Sequence, residues 1–247
     1  MLSRPPIRIA MWSGPRNIST AMMRAWGNRA DTIVVDEPFY AQYLHATGLP
    51  HPGAIEVIAD GEIDPSRVAE YLTTAPLPAG KLMQYQKQMT HHLLPGTDRS
   101  WLSRVQNCFL IRDPADVIVS YLKKNGEPTA EDLGFPQQLE IFERVRALTG
   151  KVPPVIEADA VLRDPPRMLR LLCDSLGVEF SDAMLSWPAG LRESDGIWAK
   201  HWYPEVAKST GFQQRAALPA PSIPSKLREV HARCREIYEQ LHAHRLR

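Results

Sequence analysis

The chain has 247 residues, 29 Lys and Arg against 28 Asp and Glu, a formal charge of +1 and 44% hydrophobic residues. That length supports a large α/β domain with a sizeable core. The balanced charge excludes a global electrostatic pull toward nucleic acid or an anionic membrane. No apolar run approaches the ~18 residues of a membrane-spanning helix, and the N-terminus lacks the apolar region of a signal peptide. Cys108, Cys173 and Cys234 are scattered without C-x-x-C spacing and read as reduced thiols in a cytosolic setting.

The first element is a short apolar strand, Ile7 to Trp12, followed by a polar loop, Ser13-Gly14-Pro15-Arg16-Asn17-Ile18. A helix then runs from Ser19 to about Asn28, with Met22, Met23 and Trp26 able to face a core. Strand, loop, helix is a phosphate-binding order, because a helix N-terminus presents unpaired N–H groups and a partial positive charge. Ser19 and Thr20 add hydroxyl donors and Arg16 adds a cation. The pattern limits the ligand to phosphate or phosphosulfate donors.

A second strand, Thr32 to Val35, ends at Asp36-Glu37-Pro38, and residues 45–64 are rich in Pro and Gly and read as a surface excursion near an acceptor entrance. Ser66 to Thr74 reads as a helix, and Lys81 to Met89 as a strand ending near His91-His92. Asn107 to Arg112 is a buried strand; Asp113 and Pro114 then supply a helix cap and first position. Val117, Ile118, Tyr121 and Leu122 keep helical spacing. Ser120 falls about two turns after the cap, so Arg112 and Ser120 meet at a strand's C-terminal end as a second anion site. A helix follows over Gln137 to Leu148, residues 186–224 are irregular and read as a lid or acceptor region, and an amphipathic helix carries Leu227, Val230, Cys234, Ile237 and Leu241. This alternation implies a central parallel sheet flanked by helices, with ligands beyond the strands' C-terminal ends. Glu37, Lys87, Arg112 and the Arg16 loop gather there.

The loop is not a nucleoside-triphosphate loop, since G-x-x-x-x-G-K-[ST] meets Ser13, Ile18 and Ser19 where its two glycines and lysine belong. Instead, Pro15-Arg16-Asn17-Ile18-Ser19-Thr20 resembles the 5′-phosphosulfate loop of sulfotransferases, P-[KR]-S-G-[ST]-T. The run Arg112-Asp113-Pro114-Ala115-Asp116-Val117-Ile118-Val119-Ser120 is similar to their 3′-phosphate motif, R-[DN]-P-x-D-x-x-x-S, with the same Arg-to-Ser spacing. Val155 to Asp159, Arg163-Asp164-Pro165 and Leu176-Gly177-Val178 look like the strand and helix that follow in that family. Gly196 to His201 is similar to its basic C-terminal segment. The resemblance reaches from about residue 7 to about residue 201. Ile18 departs from it, standing where the family has Gly; a β-branched residue disfavours φ > 0, so a loop of different shape or a different donor is the expectation.

The resemblance implies a P-loop three-layer α/β fold, a sulfotransferase activity and 3′-phosphoadenosine 5′-phosphosulfate as co-substrate, with no metal. Gly14, Pro15, Arg16, Asn17, Ile18, Ser19 and Thr20 would hold the 5′-phosphosulfate, Arg112 and Ser120 the 3′-phosphate, and Trp198, Lys200 and His201 would close over the nucleotide. Arg16 would also stabilise the leaving phosphate. The base for a small hydroxyl or amine acceptor stays open between Glu37, which some bacterial sulfotransferases place in this region, and His91 or His92. Lys87 matches the Lys of a Lys-x-His catalytic pair, but Met89 takes the His position. Two rivals stand beside this: a small-molecule kinase or hydrolase using ATP and Mg²⁺, and a non-catalytic relative serving as a binding module. The acceptor has no readable motif, neither nucleic acid nor membrane is implied, and a homo-oligomer is left open.

Overall fold

A computed structural model describes residues 5–213 and 221–247. Its strands are β1 (Ile7–Ser13), β2 (Thr32–Asp36), β3 (Met83–Met89), β4 (Gln106–Ile111) and β5 (Val155–Glu157). They form one sheet in the order β2-β3-β1-β4-β5, and every neighbouring pair is parallel. The helices are α1 (Ser19–Gly27), α2 (Tyr40–Thr47), α3 (Ala54–Asp60), α4 (Pro65–Thr74), α5 (Pro114–Leu122) and α6 (Phe135–Thr149). After β5 come α7 (Ala158–Arg163), α8 (Pro165–Ser175), the one-turn α9 (Ala199–Trp202) and α10 (Pro204–Ala207), and α11 (Arg228–His242).

Alternation along the strands divides the core into two layers. Ile9 and Met11 of β1 pack with Met22 and Trp26 of α1 and Leu169 and Leu172 of α8. Ala10 and Trp12, on the other face, pack with Leu72 of α4, Phe142 of α6 and Leu241 of α11. The three-layer α/β arrangement expected from the sequence is therefore present, and all five strands present their C-terminal ends at one edge. The three cysteines are free and buried.

β3 (MQYQKQM) is buried at all seven positions although five are not aliphatic. Gln86 Nε2 donates to Leu72 O at 2.8 Å, and Arg8 Nη1 donates to Gln84 Oε1 at 2.9 Å. On the opposite face Tyr85 stacks on Trp26 with centroids 5.3 Å apart. A buried polar side chain is tolerated when it finds partners, which is how so polar a strand occupies the second position of the sheet.

Residues 45–64 depart from the expected excursion, because they hold the end of α2 and all of α3. Gly48 (φ 66) stops α2 and Gly53 (φ 74) starts α3, so these glycines punctuate helices rather than signal coil. β5 also ends earlier than expected, and Asp159 falls in the first turn of α7, where the helix dipole favours an acid.

The described part of residues 186–224 is folded against the domain; residues 214–220 lie outside the described residues. Trp187 N–H donates to Thr210 O at 3.0 Å and Gly190 N–H to Ala207 O at 2.7 Å. Arg24 of α1 grips Asp195 with two bonds of 2.5 and 2.6 Å, both side chains almost fully buried.

Candidate active site

Two clusters form at the C-terminal edge of the sheet. The first is an anion cradle at the β1–α1 turn. No side chain caps α1, and its first turn carries no acid. The hydroxyls of Ser19 and Thr20 have no hydrogen-bond partner among the described residues. Arg16 Nε donates to Ser120 Oγ at 3.0 Å, and Arg112 Nη1 donates to Arg16 O at 2.7 Å. The two motifs, about a hundred residues apart in sequence, thus touch. Burial lowers the pKa of Arg16 from its ordinary value, a cost that an anion in the cradle relieves.

The loop backbone is fixed from three sides. Asn17 Nδ2 donates to Leu110 O at 3.0 Å, and Asn17 Oδ1 accepts from Ile18 N at 2.8 Å. Gln138 of α6 donates to Trp12 O and Leu110 O. A Cβ on Gly14 would lie 2.3 Å from Leu133 O, so only glycine admits the close approach of Pro15's neighbour to the 133–134 turn. Ile18 has φ −90 and ψ 22, an accessible conformation, and the positive φ of the loop sits at Arg16 (φ 58) instead. The β-branched residue therefore does not oppose the loop's shape.

The second cluster surrounds Lys87. In register, Lys87 lies opposite Asp36 on β2 and Met11 on β1. Its Nζ donates to Asp36 Oδ1 at 3.0 Å, to Glu37 Oε1, and to Tyr203 OH at 2.5 Å. Tyr203 OH donates in turn to Asp36, and Gly196 N–H reaches Asp36 Oδ2 at 3.2 Å. Burial opposes charge on Lys87, but the Asp36 and Glu37 carboxylates outweigh it and hold the ammonium well above its usual pKa. Lys87, expected as a catalytic cation, has its donors committed to this buried network. Burial raises the pKa of Glu37, with Lys87 acting against the rise and Asp36 with it. Glu37 is also one of two non-glycine residues at positive φ (φ 42) among the described residues, a strained conformation of the kind that collects at functional sites.

His92 stacks between Tyr40 and Tyr43, each 4.7 Å away by centroids, and its Nδ1 lies 3.9 Å from Glu37 Oε2. His91 packs edge-on against His92 and Tyr43. Burial, then His51, pushes the His91 imidazole down to about 4, while burial, then His91, pushes His92 well below its usual value. Both are neutral at pH 7. Unfolded histidines take up protons below about 6.5, whereas His91 resists until about 4. The unfolded state therefore binds more protons in that window, and stability falls as pH drops through it. Between pH 7 and pH 5 His91 alone accounts for a loss of about 2 kcal/mol and His92 adds to it, partly offset by Glu37, whose raised pKa favours the folded state in acid. Urea midpoints at the two pH values check this, and His91→Gln should shrink the difference; a midpoint unmoved by pH would sink the assignment.

Trp198 is 9% exposed. It packs edge-on against Tyr40 at 5.1 Å and points its indole N–H at Tyr203 OH. Lys200 and His201 are exposed on α9, and neither bonds to the cradle among the described residues; the His201 ring lies against the Gly53 turn. Asp36 and Tyr203 were not singled out from the sequence as site residues. Asp36 has a signal only once strand register is known, and Tyr203 has none.

A cavity of about 400 Å³ opens beside Glu37, with Pro38, Val57, Val68 and Trp198 among its walls. Of the candidate bases, Glu37 lines it and the two histidines do not. The parallel sheet with an uncapped helix N-terminus at β1–α1 is a three-layer α/β arrangement, and a helix N-terminus at such a turn is a ready anion site.

A family model described as sulfotransferase domain matches residues 7–236, and the chain belongs to that family. The branched-chain-amino-acid aminotransferase-like protein 1 of Arabidopsis thaliana is 35% identical over 239 residues, covering 97% of this chain and 42% of that protein. The chain thus spans well under half the length of that curated relative. Among solved structures, the sulfotransferase domain of the Synechococcus PCC 7002 olefin synthase has a TM-score of 0.58 at 17% identity, covering 100% of this chain and 98% of its own. A sulfotransferase from Alicyclobacillus acidocaldarius has a TM-score of 0.56 at 12% identity, covering 99% and 98%. These two likenesses show a shared fold. Among the described residues no helix is long and apolar enough to cross a membrane.

Proposed function

We propose that the protein moves a sulfuryl group from 3′-phosphoadenosine 5′-phosphosulfate to a hydroxyl or amine of a small acceptor. The observation that carries this is the contact between Arg16 and Ser120, with Arg112 holding the Arg16 carbonyl. It joins an uncapped helix N-terminus to a second cationic site, as a donor with two separated phosphate positions requires. Arg16, the α1 N-terminus, Ser19 and Thr20 hold the 5′ end and receive the charge that builds on the leaving phosphate. Arg112 and Ser120 hold the 3′-phosphate.

The acceptor lies in the cavity beside Glu37. Its oxygen or nitrogen forms the new bond to sulfur as the bond to the phosphate oxygen breaks in line, and that oxygen keeps the electron pair. Glu37 takes the acceptor's proton; its raised pKa suits a base. Lys87 and His92 position Glu37 from behind. Buried free thiols fit a cytosolic setting. The aminotransferase-like name of the Arabidopsis relative describes a chain more than twice as long and is not carried over.

Calorimetric titration with 3′-phosphoadenosine 5′-phosphate, against ADP with Mg²⁺, tests the reading. Micromolar binding of the bisphosphate alone is the result expected. Preference for ADP·Mg²⁺ would replace this reading with the kinase, and absence of binding by either would replace it with the non-catalytic module.

A further inference from the structure

The cavity beside Glu37 has an electrostatic character that the transfer reaction itself does not require. Its lining includes Asp36, Glu37, Asp60 and Glu62, with Arg67 as the one basic residue. Asp36 and Glu37 share the single ammonium of Lys87. Glu62 and Arg67 neutralise each other at 3.7 Å. Asp60 remains without an ion pair or hydrogen bond among the described residues.

The placement of Asp60 is unfavourable in the free protein. It is the last residue of α3, whose last turn holds no basic residue, and a helix C-terminus repels an acid. Its position is nevertheless fixed. A Cβ on Gly61 would lie 2.5 Å from Cβ of Ala41, so the glycine lets the 60–62 turn press against α2 and keeps Asp60 at the cavity wall. Trp198 and Tyr71 line the same space, and aromatic rings attract cations. An uncompensated carboxylate at a helix C-terminus and aromatic walls, in a half-open cavity of about 400 Å³, favour one sign of charge.

We propose that this cavity takes a cationic acceptor: an organic ammonium or guanidinium compound that puts its reacting hydroxyl or amine at Glu37 and its positive end on the Asp60 side. The proposal rests on the sulfotransferase reading only in calling the ligand an acceptor. The volume suits a small metabolite-sized molecule.

Three phenols that differ at the far end test it: 4-hydroxyphenethylammonium, neutral 4-ethylphenol and 3-(4-hydroxyphenyl)propionate. Each is titrated calorimetrically into the full chain, with and without 3′-phosphoadenosine 5′-phosphate. The ammonium is expected to bind at least about 10-fold more tightly than the neutral phenol, the ratio that one partly screened ion pair and one cation–π contact produce together, and the propionate most weakly. Asp60→Asn should remove most of that ratio. Arg67→Gln should widen it, because Glu62 is then released. Both side chains are exposed, so neither change threatens folding.

A neutral or anionic probe that matches the ammonium, a ratio unchanged in Asp60→Asn, or no binding by any probe would overturn the proposal. The bisphosphate titration separates the two readings. Cation selectivity without bisphosphate binding overturns the sulfotransferase reading and leaves the cavity's preference standing. Bisphosphate binding without cation selectivity overturns the cationic acceptor alone.

Discussion

Replacing Arg112 by alanine is expected to weaken binding of 3′-phosphoadenosine 5′-phosphate by about 30- to 100-fold, the loss of one or two charge-assisted hydrogen bonds. Arg112 is 8% exposed at the end of β4, so its guanidinium acts where water screens it little. It also holds the Arg16 carbonyl at 2.7 Å, and through it the positive-φ conformation of the loop. On the proposed function the change therefore removes both a ligand of the 3′-phosphate and a prop for the neighbouring cation. Arg112→Lys keeps the charge without the planar fork and should recover only part of the loss. ADP, which has no 3′-phosphate, should suffer much less. The measurement is calorimetry on both nucleotides, with thermal melting to exclude unfolding. Binding by Arg112→Ala within about 3-fold of the unmodified protein, well under the value of one such bond, would remove Arg112 from the 3′-phosphate.

Lys87→Met is expected to cost about 3–5 kcal/mol of stability, because it strands two carboxylates in a buried site. Asp36 and Lys87 are each about 2% exposed at the side chain, and Glu37 is 12% exposed. Adding Glu37→Gln should return part of the loss, and a double-mutant cycle reads the coupling between the two. The deficit should also shrink in acid. Without the ammonium that opposes it, the rise in the Glu37 pKa grows, so the folded state binds more protons and gains stability as pH falls. Denaturant midpoints at pH 8 and pH 5 test this. If Lys87→Met kept its stability and lost only donor affinity, the lysine would be a donor ligand and not the keystone of a buried network.

The sequence made the anion cradle legible because its parts are local. A strand, a loop with Arg16, and a helix opening at Ser19 lie within one short run, and Arg112 to Ser120 lie within another. That the two runs touch follows from β1 and β4 being neighbours in the sheet, which strand–helix alternation implies only in outline. The Lys87 network was not legible. It depends on Asp36 falling opposite Lys87 across a parallel pair and on Tyr203 arriving from far along the chain, and neither register nor long-range docking is written in periodicity. The polar pattern of β3 likewise hid its interior position, since a strand of glutamines reads as exposed until Arg8 and the Leu72 carbonyl are known to satisfy it. At Ile18 a residue mismatch does not reveal the backbone around it: Ile18 has φ −90, which a β-branched residue adopts readily, and the left-handed residue of the loop is Arg16.

The ties on Asp195 and Tyr203 bear on how molecules come and go. Arg24 clasps Asp195 with two buried bonds, and Asp36 accepts from both Gly196 and Tyr203. The stretch that walls the cavity with Gly196 and Trp198 is thus fastened to α1 and to the sheet at the same time. With that wall anchored, entry over the opposite sill is the expected route, where Asp60, Glu62, Arg67 and Tyr71 stand exposed on α3, its following turn and α4. Admission and chemistry are housed on separate fixtures, so the guest list could be rewritten at the sill while the donor cradle and the Lys87 network stay as they are.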